Sequence, residues 1–252
     1  MSVKNLVRPI PGARRLPLLR RRLRFTGTAS YWERRYVTGG TSGAGSYGEF
    51  GAAKAEFLNT FVSEHRVRSV VEFGCGDGHV LSLAEYPSYV GLDVSRTAIE
   101  MCKRRFAGDP AKSFFLYDGS CFVDRGGVFA ADLALSLDVI YHLIENPVFE
   151  TYMSHLFAAG QRYVVVYGTN EELPDDAPHV RHRRFSSWVE ANHPQWRLAQ
   201  VTRGPLLADF FVYERSGGDA ARPSAGTPDA APAGQRESKP PDQGAASEQG
   251  RD

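Results

Sequence analysis

"VVEFGCGDGHV", Val70–Val80, is the stretch on which the reading of this chain turns. Val70 and Val71 belong to a short β-branched run. Gly74, Gly76 and Gly78 then permit a sharp turn that brings backbone close to a ligand, because glycine carries no Cβ. Residues after the turn can begin a short helix, so the segment has the strand–loop–helix context of a nucleotide-type seat. A second cluster, "GAGSYG" at Gly43–Gly48, matches the dinucleotide fingerprint G-x-G-x-x-G letter for letter. Nothing strand-like precedes it, since "YVTGGTSGAGSYG" is a long connection running into a helix. Two readings of it stay open. It is a plain flexible connection, or it is a mobile cover over a ligand, with Tyr31, Trp32 and Tyr36 upstream to pack on a flat ring.

Working outward, the next strand ends at Asp93, 15 residues past Gly78, where a carboxylate accepts hydrogen bonds from ribose hydroxyls. Charge decides what lies on the glycines. Glu72 stands just before the loop and Asp77 inside it, with no Lys or Arg in the loop to compensate. Such carboxylates repel a pyrophosphate but tolerate a sulfonium and an ammonium. The expected cofactor is therefore S-adenosyl-L-methionine rather than NAD or FAD.

Further out, the hydrophobic periods alternate. "FGAAKAEFLNTFVSEH" places Phe50, Ala53, Phe57, Leu58 and Phe61 on one helical face. Short strands are expected at "RSVVEFG", "SYVGLDVS", "KSFFLYDGS", "ADLALSLDVI" and "RYVVVYG". "SRTAIEMCKRRFAG" predicts a helix with Ser95 as N-cap, and "PVFETYMSHLFAAG" one that starts at Pro147 and stops at Gly160. After a short helix at "SSWVEANHP", the strands "WRLAQVT" and "ADFFVYE" flank a short "RGPLL" connection. The pattern predicts an α/β fold, doubly wound, with a mostly parallel seven-stranded Rossmann-like sheet and an antiparallel edge hairpin.

Composition bounds the rest. The 252 residues suit one sizeable core. A basic arm over residues 1–25 has eight Lys and Arg and no acid, while a tail over 216–252 has four bases and six acids. With +1 overall, the body over 26–215 is left at −5. The tail lacks aromatic residues, Leu, Ile and Val, so disorder is expected there. The arm is expected to be solvated, with contact to a polyanion as the sharper alternative. Three cysteines without C-x-x-C spacing give no disulfide framework or zinc site, and no metal is expected. No run reaches the length of a membrane span, and no secretory signal is visible. A cytoplasmic protein is expected, with no nucleic-acid partner.

At this point "VEFGCGDG", "YVGLDVS", "FFLYDGS" and "DLALSLDVIYHLIEN" together resemble the ordered motif series of the class I S-adenosylmethionine-dependent methyltransferases, over roughly Tyr31 to Glu214. The resemblance implies that Glu72, Gly74, Gly76, Asp77 and Gly78 cradle the cofactor. It implies that Asp93 holds the ribose, that Val94 lies beside the adenine, that Asp118 accepts from the adenine amino group, and that Asp138 lies near the reacting end. "YWERRY" resembles a segment that closes over the cofactor, with Arg35 pairing with the methionine carboxylate.

For the methyl acceptor, His142 in "DVIYHL" is a candidate base, with Tyr141 beside it, or else simply caps the turn. "HVRHRRFSSW" adds His179 and His182 as further base candidates. Arg181 and Arg183, with Arg184, make a basic patch suited to an anionic acceptor or to a solvated turn. The expected activity is methylation of a small, anionic acceptor at oxygen. A fold-retaining binding protein without turnover and a protein-directed methyltransferase are the alternatives.

Overall fold

The structure, a computed structural model, describes residues 27–174, 177–206 and 208–217. The expectations for the basic arm, and for the tail beyond Gly217, lie outside the described residues. Helix α1 (Thr28–Val37) and a 3-10 turn (Ala44–Ser46) lead into α2 (Gly48–Glu64). Then follow β1 (Val70–Phe73), β2 (Tyr89–Asp93), α3 (Arg96–Arg105), β3 (Lys112–Leu116), β4 (Ala131–Leu137), α4 (Asn146–Ala159), β5 (Gly160–Gly168), α5 (Phe185–Asn192), β6 (Trp196–Arg203) and β7 (Asp209–Arg215).

The strands form one sheet of order β3-β2-β1-β4-β5-β7-β6. The first five are parallel, and β7 inserts antiparallel between β5 and β6. The order reverses between β1 and β4. In an open α/β sheet that switch point is where a crevice forms at the strands' carboxyl ends. The expected edge hairpin is present, with its second strand on the inside.

Alternating side chains explain why both faces are covered. Val71 and Phe73 of β1, Ala134 of β4 and Val164 and Val166 of β5 pack with α4 and α5. Val70, Leu133, Leu135, Tyr163 and Val165 point the other way, toward α2 and α3. All seven residues of β4 are buried, as a central strand covered on both faces requires. Each fully buried Leu or Val contributes on the order of 1.5–3 kcal/mol. Ser95 caps α3, its Oγ accepting from Ala98 N–H at 3.1 Å. Pro147 sits in the first turn of α4. Gly160 does end α4 as expected, but with an extended φ of −70°, so the chain enters β5 without a connecting turn.

One polar contact ties the α4 layer to the sheet beneath the crevice. The buried Tyr152 hydroxyl donates to the Phe73 carbonyl (2.8 Å), and its oxygen lies 2.7 Å from Ser136 Oγ, whose hydroxyl can donate to it. Tyr152→Phe removes both contacts from a dry core, and should lower the unfolding free energy by about 1–3 kcal/mol in a urea titration.

Candidate active site

A cavity of about 630 Å³ opens at the switch point. It falls in the ~300–1,000 Å³ range of small-molecule sites. Its floor is the glycine loop. Gly74, Gly76 and Gly78 have φ of 85°, 56° and 72°, the left-handed region that side chains disfavour. A Cβ at Gly78 would lie 2.8 Å from the Phe106 ring and 3.0 Å from Cys102 Sγ, so this glycine lets α3 pack against the loop instead of facing the cavity.

Asp93 closes the loop from β2. Its Oδ2 accepts from Gly76 N–H (2.9 Å) and its Oδ1 from Ser95 N–H (2.8 Å). Each oxygen keeps a lone pair for a ligand. Burial, opposed by these two bonds, raises its pKa to about 6. Glu72 also lines the cavity and accepts from the Tyr89 hydroxyl at 2.6 Å; burial pushes its pKa up to about 7. Val94 and Asp118 border the far end, where the exposed Asp118 accepts from Ser120 N–H and Oγ–H at 2.9 and 2.7 Å.

Asp77, 0% exposed, joins the two glycine clusters. Its Oδ2 accepts from Ser42 N–H (2.9 Å) and from the Tyr47 hydroxyl (2.8 Å), and its Oδ1 from His79 N–H (3.1 Å). In return Asp77 N–H donates to Ser42 Oγ (3.1 Å), which lies 3.0 Å from the Tyr36 hydroxyl. The segment that matches the dinucleotide fingerprint is thus folded onto the second glycine loop. Helix α1 continues the cover. Glu33, which was not among the expected site residues, accepts from Ser95 Oγ–H (2.6 Å) and Thr97 Oγ1–H (2.8 Å) at the first turn of α3.

Lys54 was also missed. It projects from α2 into the cavity wall, 0% exposed, donating to the Gly45 carbonyl (2.9 Å) and pairing with Asp138. Its ammonium lies 4.5 Å from the Tyr167 ring centroid. A lysine on the same face as Leu58 and Phe61 was the available signal, since burial there requires a partner. Asp138 takes φ 59°, and its Oδ1 accepts from the Tyr141 hydroxyl at 2.8 Å.

His142 lines the cavity in a 3-10 turn after β4. Its Nδ1 lies 2.8 Å from the His179 carbonyl. A carbonyl only accepts, so Nδ1 carries the proton and Nε2 the lone pair. Burial, partly opposed by this bond, lowers the pKa to about 4. The imidazole is neutral at pH 7, more an orienting acceptor than a strong base.

Other expected residues lie elsewhere. Tyr141, His179, His182, Arg181, Arg183 and Arg35 are not among the described residues of the cavity wall. His179 stacks on Tyr31 at 4.4 Å, and His182 Nδ1 lies 2.7 Å from Thr169 Oγ1. Arg181 donates to the Ile144 carbonyl (3.0 Å) and Asn146 Oδ1 (2.9 Å), and Arg183 to the carbonyls of Leu143 (2.6 Å) and Ile144 (2.7 Å). These arginines brace the turn before α4, where they were expected to hold an anionic acceptor. Arg35 donates through Nε to the Thr41 carbonyl (2.6 Å), and its guanidinium lies over the Trp32 ring, 5.6 Å from the centroid. No group of three His, Cys, Asp or Glu that could hold a metal occurs among the described residues. No described helix is long and apolar enough to cross a membrane.

No family model matches the sequence, and no curated protein matches it significantly. Solved structures do match. The N-methyltransferase NodS from Bradyrhizobium japonicum WM9, in complex with S-adenosyl-L-homocysteine, superposes with a TM-score of 0.58 at 16% identity, over 75% of this chain and 98% of that one. Magnesium protoporphyrin IX methyltransferase (ChlM) from Synechocystis PCC 6803, with the same ligand, gives 0.55 at 15%, over 77% and 98%. The methyltransferase domain of bacterial CtHen1-C gives 0.53 at 20%, over 66% and 98%. The chain therefore has the Rossmann-like fold of the class I S-adenosylmethionine-dependent methyltransferases.

The half-buried imidazole sets a pH dependence of stability. With a pKa near 4 when folded and about 6.5 when unfolded, His142 takes up its proton first in the unfolded chain. Its contribution to stability therefore falls as pH drops from about 6.5 to 4. Glu72 and Asp93 hold protons longer when folded, so they act in the opposite sense, destabilising as pH rises toward about 7 and 6. His142→Gln removes only the first contribution. Between pH 6.5 and 4.5 the wild type should lose about 2 kcal/mol more than this variant in urea unfolding.

Proposed function

We propose that the protein is an S-adenosylmethionine-dependent methyltransferase acting on a small acceptor at oxygen. One observation carries the cofactor part. Among the described residues of the cavity wall stand Glu72, Asp77, Asp93, Asp118, Asp138 and Glu145, against Lys54 as the sole Lys or Arg. A diphosphate placed among these carboxylates meets repulsion in a site of low dielectric, whereas a sulfonium and an ammonium meet attraction. The residues present fit that group. Glu72 and Asp93 would hold its amino-acid and ribose parts, Val94 and Asp118 would border its adenine, and the cover would exclude water.

When bound, the cofactor supplies an electrophilic methyl carbon. The chain's own contribution is to hold the acceptor in line at about 3–3.5 Å and to keep water out. A hydroxyl acceptor is supported by His142, whose Nε2 lone pair accepts an O–H and orients the oxygen. An acidic hydroxyl, which can surrender its proton to solvent, suits so weak a base better than a simple alcohol. Arg181 and Arg183 are engaged on the carbonyls of Leu143 and Ile144, so the acceptor needs only an ionisable O–H.

Calorimetry tests the reading. S-adenosylmethionine and S-adenosylhomocysteine should bind while NADH does not, and Asp93→Ala should weaken S-adenosylhomocysteine by about tenfold or more. S-adenosylmethionine should bind more tightly as pH rises from 5.5 to 7.5, releasing protons as Glu72 and Asp93 ionise. Binding that is flat across this range would count against their facing the cation.

A further inference from the structure

We propose that Trp32 and His142 form the seat of the methyl acceptor, and that the acceptor hydroxyl is borne on an aromatic ring, as in a phenol. This rests on the S-adenosylmethionine reading and deepens it by naming the acceptor class and the side chain that selects it. Both rings line the cavity. Their centroids are 4.9 Å apart and their planes 74° apart, so they make a corner and not a stack. A flat ring laid on the indole within that corner carries a hydroxyl, in its own plane, beside the imidazole.

Trp32 is set in place by the fold before any acceptor arrives. One helical turn earlier, Thr28 Oγ1 lies 2.9 Å from both the His142 carbonyl oxygen and Glu145 Oε2. Its proton bonds one or the other, which fixes α1 on the turn that carries His142. The rings of Tyr31 and Tyr36 flank the indole at 5.6 and 5.9 Å. The Arg35 guanidinium lies over it at 5.6 Å and is itself tied to the Thr41 carbonyl. A side chain held in this way has little rotamer freedom left to lose, so stacking on it is not offset by ordering.

Three demands of the site meet in a phenol. The neutral His142 accepts a hydrogen bond but removes a proton poorly, so the hydroxyl has to be acidic on its own account. A carboxylic acid is acidic too, but it arrives fully charged at a wall where Lys54 is the sole Lys or Arg among the described residues and six carboxylates stand. A saturated alcohol arrives neutral but is neither acidic nor flat. A phenol enters neutral, stacks, and gives its proton to solvent. Transfer then forms the O–C bond and breaks the C–S bond, whose electron pair stays on sulfur, so the oxyanion and sulfonium charges cancel.

The test measures phenol, cyclohexanol and benzoate against the full chain saturated with S-adenosylhomocysteine, by ligand-observed NMR titration. Phenol should bind more tightly than either of the others by about two- to tenfold, the worth of one aromatic contact. Trp32→Leu should erase that preference, and Trp32→Phe, which restores a ring, should keep most of it. Both variants should hold S-adenosylhomocysteine within about twofold of wild type, which also reports that they fold. Phenol that binds wild type no better than cyclohexanol or benzoate, or not at all, overturns the proposal whatever the variants do. So does a Trp32→Leu protein that keeps the preference, or one that loses S-adenosylhomocysteine in proportion to phenol, since the indole would then serve the cofactor. Wild type that does not bind S-adenosylhomocysteine fails at the earlier step, the cofactor reading itself.

Discussion

The arrangement of the site depends on one buried carboxylate. Asp77 lies in the tight bend after β1, sealed from solvent, and accepts from the backbone of Ser42, the ring hydroxyl of Tyr47 and the backbone of His79. Three donors on a buried anion compensate for lost hydration, which is the condition for keeping charge inside a protein. Two of the donors come from 35 and 30 residues upstream, so satisfying the charge also draws the N-terminal segment onto the loop. Ser42 then meets Tyr36, Gly45 meets Lys54, and Glu33 adds a second long-range anchor on Ser95 and Thr97.

What was legible in the sequence was local. Periodicity located the strands because each carries its own β-branched or apolar run, and Ser95, Pro147 and Gly160 mark helix ends through backbone rules that act within one turn. The glycine loop and Asp93 were legible because strand–loop–strand spacing brings them together, whereas Val94 came only with the resemblance. Helix α1 carried no comparable signal. Its sequence, TASYWERRYV, has no capping side chain and no acidic first turn. Packing of Tyr36 and the clasp of Glu33 on α3 hold it, and both are tertiary.

The same limit explains the basic patch. Composition around His179 and Arg183 showed charge but not its partners, and in the fold those partners are carbonyls left open where the chain leaves β4 for α4. Guanidinium groups satisfy such carbonyls with several donors at once. Electrostatic reading from sequence was more secure for the carboxylates, because their excess persists in the cavity wall whichever individual bonds they make. Lys54 shows the converse. A single cation within an apolar helical stripe is easily passed over, although burying it obliges the fold to place an anion nearby.

The clasp of Glu33 on Ser95 and Thr97 has a consequence for how such a protein can diversify. One side of the crevice belongs to the sheet, where any change disturbs two packed layers. The other belongs to α1 and the turn after it, which add no strand and stand outside both layers of the core. Ligand preference can therefore be rewritten in some twenty residues, by exchange of the whole roof, while the foundation beneath keeps its seven strands in register.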